Sequence, residues 1–418
     1  MVESNDTASI KNRFIIHLLV YPLQSYNKRA KNGEPSITKI EETLIINRKY
    51  KYLIYAKKLN IFDFLQNMRY ICRSWVDVIY MSHGHNTYKI MNEQLKLLDS
   101  LTPDLGSGEM FLVNIILALV MFGVALGIKF ETFKDIFRNP KSIIVGIMMQ
   151  WIALPAVTLC IALALNSVIT PMVALGMILV ASCPGGNISN FMSSYAKGNI
   201  ELSVSMTALT TAFAPLVTPL NFWLYGTLYC NTINLTKDIP TLVIPFGDMF
   251  EQIMLLLGLP IVAGMLFAHF FPNATKRLMK PAQILSIILF MGMVVVSFTK
   301  VVTALGGDGS GGLTVEQIVT SILLAFGMVV IHNLCALSTG YGGATLFKLP
   351  ELDRRSMTIE VGIQNSGLGL ILLFNTAIFD PTDWANNGGM LFITALWGVW
   401  HIISGLTVAS IFRRRKIA

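Results

Sequence analysis

The chain has 418 residues, 53% of them hydrophobic and only 13% charged, with a formal net charge of +8. That balance excludes a soluble globular domain, and several runs of about 20 apolar residues imply a multi-pass, all-α membrane protein. The basic residues sit at the ends of apolar runs, so the charge is no nucleic-acid signal; there is no P-loop, no GxGxxG after a strand, no GxSxG and no CxxC or Cys/His ligand spacing.

Residues 1–108 differ from the rest, being rich in Lys, Asn, Ile and Tyr with charges interrupting every apolar run. The longest clean run, Phe14 to Leu23, is too short to span and contains Pro22. The expectation is an atypical N-terminal extension, either unstructured or the product of a start placed upstream of one nearer Met91. A cytoplasmic or exported extension and a transit peptide are the alternatives, the last weakened by acidic residues and little Ser/Arg bias.

From residue 109 to 418 the pattern is regular and predicts nine spans. They fall at 110–129, 142–165, 172–197, 200–226, 249–271, 281–300, 316–340, 355–379 and 389–412. Alternate loops carry Lys129, Lys134, Arg138 and Lys141, then Lys197, then Lys276, Arg277 and Lys280, then Lys348, Arg354 and Arg355, and finally Arg413 to Lys416. The intervening loops are poor in basic residues and hold Asp238, Asp308, Asp380 and Asp383. The positive-inside rule therefore starts the first span outside and leaves the C-terminus in the cytoplasm.

Two spans are interrupted. In the third, Pro184-Gly185-Gly186 removes a backbone donor and frees the helix, and Asn187, Ser189 and Asn190 follow at once. In the eighth, Glu360 is followed by Gly362, Gln364, Asn365 and Gly367. A carboxylate there costs at least about 2.5 kcal/mol, so it requires a partner or a role. A buried carboxylate hydrogen-bonded within a bundle is one reading and an ion site at a helix break the other. The two interrupted spans run in opposite directions five spans apart, the pattern of an inverted repeat of four spans and five. The second half-helices would turn free N–H groups toward an anion, while unwound carbonyls and side-chain oxygens take a cation. Ser203 and Thr207 share one face of the fourth span. Gln150, His332-Asn333 and His401 are lone polar residues that packing alone would accommodate.

Three motifs carry a family resemblance: Met121 to Gly127 (MFGVALG), Cys183 to Asn190 (CPGGNISN) and Glu360 to Gly367 (EVGIQNSG). From about Leu112 to Phe412 the sequence resembles the bile acid:sodium symporter family. The resemblance implies a panel domain, a core domain and two sodium sites behind the crossing of the broken helices. The first would be held by Ser189, Asn190, Ser203, Thr207 and Glu360. The second would be held by Gln150, Glu360, Gln364 and the carbonyls of Val361 and Ile363. Asn187 and Asn365 would contact the anionic substrate. Trp400-His401-Ile402 keeps a family histidine beside the cavity and loses the amide that often follows it, and the stretch Asp380 to Gly389 looks longer than usual. The implied function is sodium-coupled import of an organic anion by alternating access, in a cell membrane (the inner one in a bacterium). Bile acids, steroid sulfates and small carboxylates such as pyruvate and pantoate are the substrate classes. Sodium serves as coupling ion with no other cofactor, and the bilayer and substrate are the partners, with no nucleic acid and no obligatory protein partner. A proton-coupled carrier or a metalloid or anion efflux permease of the related fold is the alternative. An intramembrane enzyme built on Glu360 with His401 or His332 lacks a nucleophile motif and metal-ligand spacing.

Overall fold

A computed structural model describes residues 85–100, 107–128, 140–234, 246–282, 315–375 and 386–415, with isolated positions between. The chain divides into Met1–Asn67, which lies outside the described residues, and Met68–Ala418, to which everything below belongs. The described part is all helical, with no strand among the described residues.

Twelve helices are used here. They are α1 His85–Asp99, α2 Ser107–Ala125, α3 Pro140–Ala164, α4 Pro171–Ser182, α5 Ile188–Tyr195 and α6 Ile200–Ala212. Then come α7 Ala214–Asn234, α8 Phe250–Phe270, α9 Val315–Leu346, α10 Glu351–Gly362, α11 Ser366–Leu373 and α12 Gly388–Arg414. Four single helices among the described residues are long and apolar enough to cross a membrane: α3, α8, α12 and Glu316–Leu346 of α9. The pair α6 and α7 makes a fifth if the bend of 74° between them is counted inside one span. The span expected at 200–226 is thus bent at Phe213 and continues to Asn234. Pro215 accounts for this: it lacks the N–H that would bond the Thr211 carbonyl and crowds the preceding turn. The span expected at 281–300 and the loop before α12 lie mostly outside the described residues.

Proline also shapes the long helices. In α3 a π turn at Met149–Ala153 precedes Pro155, and in α8 one at Met254–Gly258 precedes Pro260. Pro155 cannot donate to the Trp151 carbonyl, and Asn221 Nδ2 of α7 supplies that bond at 2.9 Å. Tyr225 donates likewise to the Ile152 carbonyl at 3.2 Å. The freed backbone of α3 is therefore satisfied by α7 rather than by water.

The helix α1 lies inside the stretch that composition sets apart. Its Leu95 and Leu98 are fully buried. Asn92 Nδ2 donates to the Ile169 carbonyl at 3.0 Å and Ser321 Oγ to the Gln94 carbonyl at 2.6 Å. Asp99 accepts from Thr170 at 3.1 Å, so α1 clasps the start of α4 and the side of α9.

At the centre are the two interrupted spans. Every residue of α4 from Val173 to Ser182 is buried, as are Ser366 and Leu368 to Leu373 of α11. A helix apolar on all sides belongs in the interior. Gly340 of α9 lies against the Met357 carbonyl and Gly362 of α10 against Leu337, so small residues let these two helices touch.

Candidate cation and substrate site

The helix α4 ends at Ser182 and α5 starts at Ile188; α10 ends at Gly362 and α11 starts at Ser366. The two unwound segments lie antiparallel, with a bridge between Gly185 and Gln364. Gly186 N donates to the Ile363 carbonyl at 2.8 Å and Asn365 N to the Pro184 carbonyl at 2.8 Å. Groups left over where each helix stops thus satisfy one another across the crossing.

Glu360, in the last turn of α10, is completely buried. Ser203 donates to its Oε2 at 2.8 Å, Ser189 to the same oxygen at 2.5 Å, and Thr207 to Oε1. Asn190 Oδ1 lies 2.9 Å from Ser203 Oγ and 3.2 Å from Thr207 Oγ1. Ser189 and Asn190 belong to the first turn of α5, and Ser203 and Thr207 stand one turn apart on α6. The five side chains expected at the first ion position are therefore in one place.

Counting protons gives that cluster its character. Three hydroxyls bring one hydrogen each. Thr207 alone faces Glu360 Oε1, Asn190 Oδ1 and the Ser203 carbonyl, the last at 3.0 Å. Ser203 has two acceptors for its single proton, Glu360 Oε2 and Asn190 Oδ1. Oxygen is in excess, buried and anionic. Such a donor set suits a hard cation.

The residues expected at a second position form a neighbouring group. Gln150 lies in the π turn of α3, a device common at functional sites, and its Nε2 is 2.7 Å from Gln364 Oε1. Gln364 Nε2 donates to the Val361 carbonyl at 2.7 Å, and the Ile363 carbonyl accepts from Gly186. Gln150 Oε1 is buried without a partner. Gln150, Gln364 and the two carbonyls thus converge at the carbonyl end of α10, where the helix dipole is negative. Gln150, Gln364 and the Val361 carbonyl bond in series, and the Ile363 carbonyl is taken by Gly186, whereas the Glu360 carboxylate bonds the hydroxyls of α5 and α6.

Of the residues expected to face a substrate, Asn187 is exposed at the start of α5, and its side chain makes no capping bond. Asn365 starts α11 with its side chain accepting from Leu368 N at 3.1 Å. These two flank the crossing. His401 is buried and its Nδ1 donates to the Trp397 carbonyl of its own helix at 2.6 Å, with no bond to either asparagine.

Sequence reasoning passed over Thr210 and did not give Gly185 or Asn333 the contacts they make here. Gly185 sits directly under the carboxylate: a Cβ on it would lie 2.6 Å from Glu360 Oε1. Thr210 accepts from Gly185 N at 3.3 Å and donates to the Thr207 carbonyl at 3.2 Å, and its spacing three residues beyond Thr207 was the available signal. Asn333 donates to the Gly362 carbonyl at 2.8 Å, a contact with no sequence signature.

Fold and site define a class: a multi-pass helical membrane protein with a buried, oxygen-rich anionic cluster at the crossing of two broken helices. Residues 114–307 match the Sodium Bile acid symporter family. An uncharacterized sodium-dependent transporter of Bacillus subtilis (strain 168), YocS, is 32% identical over 303 residues, covering 72% of this chain and 83% of that protein. The ileal sodium/bile acid cotransporter of Oryctolagus cuniculus is 27% identical over 258 residues, 61% of this chain and 67% of its own. A probable chloroplastic sodium/metabolite cotransporter of Oryza sativa subsp. japonica, BASS2, is 28% identical over 270 residues, 63% of this chain and 57% of its own. The chain belongs to the Sodium Bile acid symporter family, and so to transporters rather than enzymes.

Proposed function

We propose that the chain is a sodium-coupled symporter that imports an organic anion by alternating access. The observation that carries this reading is the surplus of buried oxygen over protons around Glu360, which a sodium ion would balance. Ser189, Asn190, Ser203, Thr207 and Glu360 hold one sodium in this reading. Gln150, Glu360, Gln364 and the carbonyls of Val361 and Ile363 hold a second, the Gln364 amide releasing the Val361 carbonyl as the ion enters. Both carboxylate oxygens face hydroxyl groups that can donate to the ionised form, which supports sodium over a proton as the coupling ion.

The printed names of the relatives, sodium/bile acid and sodium/metabolite cotransporters, support sodium coupling and an organic substrate. Nine spans in an inverted repeat, divided into panel and core and ending in the cytoplasm, are the architecture that fits. The antiparallel meeting of the two breaks supports it. The anion sits against Asn187 and Asn365, where α5 and α11 begin and their N–H groups point outward. His401, turned onto its own helix, would have to change rotamer to join them.

Two sodiums, each entering down a tenfold gradient, supply about 1.4 kcal/mol apiece. One net charge moved with a monoanion adds about 2.3 kcal/mol per 100 mV. The total of about 5 kcal/mol supports more than a thousandfold accumulation, at 1.4 kcal/mol for each tenfold. Screening organic anions by thermal unfolding in NaCl against choline chloride finds the substrate, because a coupled ligand protects more when sodium is present. Uptake of that anion into proteoliposomes should then follow an inward sodium gradient. Glu360→Ala should abolish it while leaving a folded protein. Uptake by that variant that still depends on sodium would overturn the assignment.

A further inference from the structure

His332 and Asn333 are both completely buried in α9, a helix that contributes no ligand to either sodium position proposed above. His332 Nε2 lies 2.8 Å from Thr158 Oγ1 of α3. Thr158 donates its own proton to the Leu154 carbonyl at 2.9 Å, so His332 is the donor and its Nδ1 carries the lone pair. Asn333 Nδ2 donates to the Gly362 carbonyl. Each residue uses one polar atom on a tie and leaves the other, His332 Nδ1 and Asn333 Oδ1, buried without a partner. An apolar pair would fill the same seam without stranding two polar atoms, so packing does not account for them.

The two ties end on the two elements that the second sodium position needs. Thr158 stands two turns from Gln150 on α3. Gly362 is the residue between Val361 and Ile363, and its carbonyl is the one of the three that Asn333 holds. The ring of His332 is further braced against Trp397 of α12, with centroids 4.6 Å apart. Adjacent residues on one rigid helix therefore fix α3 relative to the unwound end of α10. Helix α9 supports this by close contact, since Gly340 and Leu337 lie directly on α10.

We infer that His332 and Asn333 are positioning residues that set the separation of Gln150 from the Val361 and Ile363 carbonyls, and so tune the affinity of the second cation position. The inference rests on the sodium reading and goes beyond it in naming what holds the ligands. Partners that orient ligands in this way commonly change metal affinity 10- to 100-fold when removed.

The test is thermal unfolding of the purified full chain titrated with NaCl, choline chloride keeping the ionic strength constant. Asn333→Leu and His332→Leu should each raise the half-saturating NaCl about tenfold. His332→Gln, whose amide can still reach Thr158, should restore most of the affinity. A purely structural role would lower the unfolding temperature equally in both salts and leave the half-saturating concentration unchanged, and that result overturns the inference. Asn333→Ser provides a second, milder removal of the tie if the leucine variant does not fold. Glu360→Ala separates the two failures. If sodium protects Glu360→Ala as well as the parent, the sodium reading itself fails. If that protection is lost and Asn333→Leu titrates like the parent, only the positioning role fails.

Discussion

Gly185→Ala separates an ion site from a merely satisfied buried carboxylate. The φ angle of Gly185 lies outside the left-handed region, so alanine meets no backbone objection. Its Cβ would lie 2.6 Å from Glu360 Oε1, and ordinary contact begins at 3.4 Å. The oxygen must therefore retreat by about 0.8 Å, which the repulsive wall of the contact enforces. It is the far end of a flexible side chain, so the fold accommodates the change by stretching the Thr207 bond. A charged hydrogen bond contributes about 1.5–3 kcal/mol when intact, and partial loss should cost about 1 kcal/mol of stability. Cation binding is less forgiving, since a ligand must be held within about 0.5 Å of its productive place.

The measurement is the same sodium titration of thermal unfolding. Gly185→Ala should unfold within a few degrees of the parent in choline chloride and need about tenfold more NaCl for half-maximal protection, as for other displaced ligands. Gly186→Ala is the control, because its Cβ would meet the Gln364 carbonyl oxygen at 3.3 Å and would not touch Glu360. It should disturb the same turn without loosening the sodium held by the hydroxyls. A Gly185→Ala curve superimposable on the parent would refute the reasoning, since the oxygen would have moved without consequence.

Three further outcomes follow from other contacts. Gly340→Ala would set a Cβ 2.7 Å from the Met357 carbonyl, which is backbone and cannot swing aside, so stability should fall by about 1–3 kcal/mol in denaturant or heat. Arg355, fully buried, bonds the Ala196 carbonyl at 3.1 Å, the Arg415 carbonyl at 3.2 Å and Glu351 at 3.2 Å. Arg355→Met should therefore cost about 2 kcal/mol while leaving the half-saturating sodium unchanged, as befits a tie far from the ions. Burial pushes the Asp99 carboxyl up to about 7 from its ordinary 3.8, against the lowering effects of the Thr170 bond and of Lys96, with Tyr229 also nearby. A carboxyl raised in the docked state stabilises docking fully below its ordinary value, and the benefit is lost as pH rises through about 7. Hydrogen exchange of α1 amides should therefore accelerate progressively between about pH 4 and 7, beyond the intrinsic base effect, and follow only the intrinsic effect above that. Asp99→Asn should show only the intrinsic effect.

What sequence made legible was the crossing and the polar side chains gathered at it. Pro184-Gly185-Gly186 cannot continue a helix, and Glu360 cannot lie in an apolar span unaided, so both positions announce themselves locally. Ser203 and Thr207 were reachable from helical spacing, although spacing alone favoured back-bonding; Thr207 does bond the Ser203 carbonyl while also serving Glu360. What stayed hidden depends on distant partners. The bend at Phe213 follows from Pro215, but Pro219 lies inside α7 without ending it, so proline alone does not say which turn gives way. The docking of α1 was obscured because its buried side is narrow, two leucines among charged neighbours, and reads as polar in composition. Asn333 stood out only as a lone polar residue, because its partner is a backbone carbonyl 29 residues away.

The helix α10 carries two buried acids two turns apart, Asp353 and Glu360, in surroundings that differ in a way the sodium reading uses. Asp353 lies in the first turn of α10 and accepts from Ser142 at 2.5 Å and from Asn199 Nδ2 at 2.8 Å. Ser142 is in the first turn of α3, and Asn199 caps α6 by accepting from Leu202 N. Three helix starts converge on that carboxylate, each contributing about 0.3–1 kcal/mol of favourable dipole interaction, so its charge is met by the fold itself. Glu360 stands at the opposite end of the same helix, where the dipole is unfavourable and the neighbouring carbonyls are themselves partly negative. Its three hydroxyl donors share their protons with Asn190 Oδ1 and the Ser203 carbonyl and bring no positive charge. The unmet negative charge is thus concentrated at the crossing, between segments whose geometry depends on bonds from one break to the other. A cation bound there would relieve that charge and stiffen the crossing together, and in the symport mechanism proposed above that is how ion binding would couple to substrate.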